Sequence, residues 1–69
     1  MASGTVKWFN DASGYGFIAP DAGGTDLYVR GLNIDAEGRT SLSAGERVEF
    51  VRREAGMGPE AIAVVPVPA

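Results

Sequence analysis

Tyr15-Gly16-Phe17-Ile18-Ala19 and Asp26-Leu27-Tyr28-Val29-Arg30 are the two stretches on which the fold reading turns. In an extended strand successive side chains point to opposite faces, so residues two apart share a side. Tyr15 and Phe17 therefore face one way, and Gly16 and Ile18 the other. On the second stretch Leu27 and Val29 take the inner face and leave Tyr28 and Arg30 outside. Between the two runs, Pro20-Asp21-Ala22-Gly23-Gly24 reads as a turn, with proline fixing φ and glycine permitting φ > 0.

Working outward, the same punctuation recurs. Thr5–Asn10 reads as a strand and Asn10-Asp11-Ala12-Ser13-Gly14 as a polar hairpin loop. Glu46–Arg53 and Glu60–Val65 are two further strands around a turn at Gly56-Met57-Gly58-Pro59. Gly31–Gly45 is the one long irregular connection, with a 3₁₀ turn expected near Asn33–Asp35. Ten glycines and four prolines break the chain into short apolar runs, and no stripe of period 3.6 persists. The fold class is all-β. Five short strands in so small a chain leave vulnerable edges unless the sheet closes, which predicts a five-stranded antiparallel β-barrel. Alternation assigns Val6, Ile18, Leu27, Val29, Val48, Phe50, Ile62 and Val64 to its interior.

At 69 residues the chain holds one domain, 1–69, with strands over about 4–65. It has no cysteine and no histidine, which removes disulfides, thiolate metal sites and the usual general base together. No nucleophile or phosphate loop accompanies the carboxylates, so no catalytic site, metal or cofactor is expected and the chain reads as a non-enzyme. Apart from Asp26, the acids read as solvated surface charges. No apolar run approaches the roughly 20 residues of a membrane span, and no secretion signal is seen at the N-terminus. A cytoplasmic monomer is the expectation, with a frayed tail at Pro66-Val67-Pro68-Ala69. Six basic against nine acidic residues leave a charge of −3, an unusual sign for a nucleic-acid binder, although charge near the binding face counts for more than the sum.

Five of the six aromatics, Trp8, Phe9, Tyr15, Phe17 and Tyr28, fall in the first three strands. In a meander Trp8, Tyr15, Phe17 and Tyr28 share one outer face, since alternation fills the interior without them. Phe9 adjoins a strand bulge and suits the core as well as the surface. An exposed aromatic patch marks a binding surface, and flat rings beside cations suit unstacked bases. Lys7 and Arg30 flank the stripe within reach of phosphates. Gly14 and Gly16 are expected to keep the backbone low between the rings.

These residues also resemble a known family. Gly4-Thr-Val-Lys-Trp-Phe-Asn10, Ser13-Gly-Tyr-Gly-Phe-Ile18 and Asp26-Leu-Tyr-Val-Arg30 are similar to the first three strands of the bacterial cold-shock domain, and Ser41-Leu42, Gly45, Val48-Glu49-Phe50 and Gly58-Pro59 fall where that family has the same or similar residues. The resemblance implies an oligonucleotide-binding (OB) fold. It implies binding of single-stranded RNA or DNA with low sequence selectivity and a pyrimidine-rich preference, in the manner of an RNA chaperone. Carried over by position, it implies that Lys7, Trp8, Phe9, Tyr15, Phe17, Asp26 and Tyr28 contact the strand, with Asp26 accepting from a base amino group.

The chain departs from the family pattern at five places. Ser13 stands where lysine is usual, Arg30 for histidine, Gly31 and Arg39 for aromatics, and Met57 for a basic residue. Two missing stacking groups, at roughly 1–3 kcal/mol per base, weaken binding by about one to four decades. Arg30 and Arg39 could recover part of this by stacking a guanidinium on a base. Two rival readings remain: an SH3-like interaction module, and a degenerate cold-shock barrel serving a protein partner.

Overall fold

Alternation in the central strands is carried through to the tertiary structure. A computed structural model describes residues 1–68, with strands β1 (Ala2–Asn10), β2 (Tyr15–Pro20), β3 (Leu27–Arg30), β4 (Arg47–Ala55) and β5 (Gly58–Pro66). They close in the order β1-β2-β3-β5-β4 into a barrel, as expected of the OB architecture. Four of the strand contacts are antiparallel, but β3 and β5 run parallel through Tyr28↔Glu60 and Val29↔Ala61. The chain reverses direction from each strand to the next, so two odd-numbered strands that meet must run the same way. An all-antiparallel closure is therefore corrected at this one seam.

Val6, Ile18, Leu27, Val29, Val48, Phe50 and Val64 fill the interior. Ile62, expected with them, is only half-buried, and Ala61 is buried in its place. The cause is an extra residue in β5: Glu49 faces Val65 and Val51 faces Ile62, so one residue of β4 spans two of β5. Ala63, at φ 51, absorbs the excess and reverses the side to which the strand points. Ile34 and Leu42, from the long connection, close the core. The 3₁₀ turn sits at Gly31–Asn33, slightly earlier than expected, and stops where Ile34 turns inward to bridge Val64.

A second bulge lies in β1. Val6 pairs with Ile18 and Trp8 with Phe17, which leaves Lys7 unopposed. Val6 and Trp8 share a parity, yet the bulge buries the first and turns the second outward. The β4–β5 hairpin is tighter than its sequence suggests, because Ala55 pairs with Gly58 and only Gly56 and Met57 form the turn. The C-terminal segment is also better tied than expected. Pro66 belongs to β5 and the Val67 amide donates to the Arg47 carbonyl at 2.9 Å, while Ala69 lies outside the described residues.

Candidate nucleic-acid interface

Trp8, Phe17 and Tyr28 stand opposite one another across β1, β2 and β3, and Tyr15 lies two residues along β2 on the same side. Their rings form a closed square. Trp8 lies 5.5 Å from Tyr15 and 5.4 Å from Phe17, and Tyr28 lies 5.5 Å from Tyr15 and 5.8 Å from Phe17. All four pairs are tilted or edge-on, the arrangement that ring quadrupoles favour. None of these rings belongs to the core, and Trp8 is 43% exposed. They line an open groove of about 780 Å³ together with Asp26, Arg30 and the β4–β5 turn, which lies beside β3 because β5 pairs with it.

Gly16 serves this surface from the inside. It is buried, and a Cβ there would overlap the Trp8 carbonyl oxygen and come within 2.7 Å of the Phe9 Cα. Its task is to admit Phe9, which packs half-buried against the core and does not line the groove. Gly14, at φ 76, closes the β1–β2 loop by donating to the Asn10 carbonyl. The expectation that these two glycines lower the backbone between the rings is thus replaced by one of packing beneath the rings and turning beside them.

The expected cations have carboxylate partners. Lys7 Nζ lies 3.0 Å from Asp26 Oδ2, at the surface. Arg30 Nε donates to Glu60 Oε2 at 3.1 Å, and Arg53 Nη2 to Glu60 Oε1 at 2.7 Å. Asn33 Nδ2 approaches the same Oε2 at 3.4 Å. The Arg53 hydrogen bond, aided by the charges of Arg30 and Arg53, holds the Glu60 carboxyl below the ordinary carboxylate range despite the opposing effect of burial. Arg39 does not join this groove. Its two Nη groups clamp Glu46 at 2.7 and 2.9 Å, and it lines a separate concavity with Arg47 and Pro66–Pro68.

Two residues at the groove were not singled out from the sequence for what they do here. Met57, noted only as a missing cation, is fully exposed on the hairpin turn and lines the groove. Glu60, read as a solvated acid, is 4% exposed. Its register opposite Arg53 in a hairpin was the available signal, hidden by the misplaced turn. Gly31, which replaces an expected aromatic, packs under the long connection, where a Cβ would come within 2.5 Å of the Thr40 carbonyl oxygen.

A closed five-stranded barrel with an outer aromatic groove defines a small oligonucleotide-binding domain in form. Comparison with known sequences identifies its family: the chain matches the 'Cold-shock' DNA-binding domain over residues 2–67. It is similar to cold shock protein ScoF of Streptomyces coelicolor, 47% identical over 66 residues that cover 96% of this chain and 98% of that protein. It is 43% identical to the cold shock-like protein CspD of Escherichia coli over 97% of this chain and 90% of that one. Against the cold shock-like protein CspA of Bordetella pertussis the identity is 49%, over 88% and 91% respectively. The chain belongs to the cold-shock domain family, whose members bind nucleic acid and are not enzymes. No helix among the described residues is long and apolar enough to cross a membrane.

Proposed function

We propose that this protein binds single-stranded RNA or DNA by stacking bases on Trp8, Tyr15, Phe17 and Tyr28, with low sequence selectivity and a preference for pyrimidine-rich strands. The observation that carries the reading is the closed square of four rings lying outside the core at the floor of an open groove. Each ring offers a face that any base can cover, so affinity comes from stacking and not from a hydrogen-bond code. Lys7 and Arg30 supply cations, each held in check by a carboxylate. Log K should therefore fall only shallowly with log salt, by about 0.7 for each phosphate neutralised on a single strand. Asp26, already paired with Lys7, accepts from a base amino group through its second oxygen. In this reading the protein is a cytoplasmic monomer that melts weak RNA structure by holding bases unstacked, as a chaperone does.

Trp8 is the sole tryptophan, so its emission reports the platform directly. Titration with a short oligothymidine at low salt should quench it saturably, and indifference of the indole to every oligomer would sink the reading. The rival, a barrel that has turned to a protein partner, draws on the paired cations and on the exposed Met57. A proline-rich peptide that quenched Trp8 where oligothymidine did not would favour it.

A further inference from the structure

Glu60 is the one charged side chain buried among the described residues. Taking a carboxylate out of water is strongly unfavourable and is tolerated only with close partners. Here Arg53 engages one oxygen, and Arg30 and Asn33 approach the other. Glu60 sits beside Tyr28 at the β3–β5 seam, so its carboxylate ties Arg53 of β4 to Arg30 of β3. What the carboxylate changes is Arg30.

A free arginine at the rim of a groove is a mobile cation suited to any phosphate. Arg30 is not free, because its Nε–H is spent on Glu60 and the guanidinium is planar. One hydrogen bond at Nε therefore limits how the whole fork can turn. Its two Nη nitrogens have no partner among the described residues, and the side chain lines the groove. On the strands, Arg30 stands directly opposite Tyr15 and two residues from Tyr28, on the same face as both. A base stacked against these two rings presents its edge to Arg30.

Charge and direction point the same way. Two guanidinium charges share one carboxylate charge, so the attraction for a phosphate is reduced, while the paired N–H donors keep their direction. A fork of two donors is matched by two neighbouring acceptors. Guanine offers them in the carbonyl oxygen and ring nitrogen of its Hoogsteen edge, whereas adenine sets an amino donor beside its ring nitrogen. We propose that Arg30, oriented by Glu60, is a guanine-reading subsite at the Tyr15–Tyr28 end of an otherwise unselective platform. The proposal rests on the stacking reading above and adds one selective position to it. Glu60 acts there as a positioning residue, through Arg30.

The test is a Trp8 fluorescence titration of the full chain with hexathymidylate and with variants carrying guanine, 7-deazaguanine or adenine at each position in turn. Adenine is the control for purine stacking, so the guanine-to-adenine affinity ratio isolates the edge contact. At one position that ratio should be roughly tenfold, the order expected of a bidentate arginine–guanine pair. 7-Deazaguanine, which lacks the ring-nitrogen acceptor, should fall between the two. Arg30→Met keeps an unbranched side chain of similar reach but has no donor, and should bring the ratio to about one. Glu60→Gln should lower the ratio while steepening the salt dependence, because Arg30 and Arg53 both lose the carboxylate charge they share. A thermal melt reports whether each variant folds, and Arg30→Met tests the subsite independently of Glu60. A ratio of one at every position in the native chain, or a preference that survives Arg30→Met, overturns the proposal. If hexathymidylate quenches Trp8 and the ratio is one, the subsite alone fails. If no oligomer quenches Trp8, the platform fails and the subsite with it.

Discussion

Arg30 and Arg39 occupy two concavities of one barrel, and the difference between them lies in how each guanidinium is held. Arg39 gives both Nη groups to Glu46, with a further bond from Nη2 to the Ser41 carbonyl, so its fork is spent on fixing the long connection. Arg30 gives only Nε to Glu60 and keeps its outer nitrogens on the aromatic groove. The concavity around Arg39 contains Pro66, Val67 and Pro68 and no aromatic ring, whereas the groove beside Arg30 is floored by four. A cation's place in the sequence thus says little about its availability. The atom by which its carboxylate holds it decides whether it braces the fold or faces a ligand.

The comparison can be broken most forcefully at the aromatic groove. Phe17→Ala removes one of the two rings that link Trp8 to Tyr28, and should weaken oligothymidine binding by roughly 10- to 100-fold, as stacking energies indicate. Unchanged affinity with an intact thermal transition would show that the square is not the binding surface. Arg30→Ala should have a smaller effect on the same oligomer. A several-fold loss is expected, with a decrease in salt slope of no more than about 0.7, the value for one phosphate. Titrations at three or more salt concentrations would measure both.

On the other side, Arg39→Ala should leave oligothymidine affinity within about twofold and act on stability instead. A partly exposed, two-pronged ion pair is worth up to about 1 kcal/mol, or roughly 4–8 °C in the melting temperature of a domain this small. If Arg39→Ala weakened binding as much as Arg30→Ala, the contrast between the two concavities would collapse.

Mild acid should do least. Hydrogen bonds from Arg47, Arg39 and Arg53 hold the carboxyls of Asp21, Glu46 and Glu60, respectively, below their ordinary range. A carboxylate whose folded pKa is depressed contributes stability that is fully present above its unfolded value, about 4, and is lost as pH falls through that value toward the folded one. The melting temperature should therefore be flat from pH 7 to 5 and decline below about pH 4. A decline already under way at pH 6 would contradict these pairings.

Much of this protein was legible before any coordinates. Strict alternation in β2 and β3 placed Ile18, Leu27 and Val29 inside and Tyr15, Phe17 and Tyr28 outside, because extended strands on a buried core leave the chain no other choice. Where a strand gains a residue, that logic lapses. At Ala63 the bulge exchanges Ile62 for Ala61, and at Lys7 a bulge lets Trp8 face the groove although it has the parity of Val6. The core role of Ile34 and Leu42 was hidden for a different reason, since a connection without periodicity does not announce which of its residues turn inward.

The amino-acid order alone therefore determined a closed all-β barrel and its aromatic face, which follow from residue type and, away from the bulges, a period of two. Tertiary structure alone decided that Glu60 is buried between two arginines, that Arg39 is committed elsewhere, and that Gly16 makes room for Phe9 beneath the rings. Those outcomes depend on which strands meet and in what register, and register across a bulge depends on contacts between segments distant in the chain.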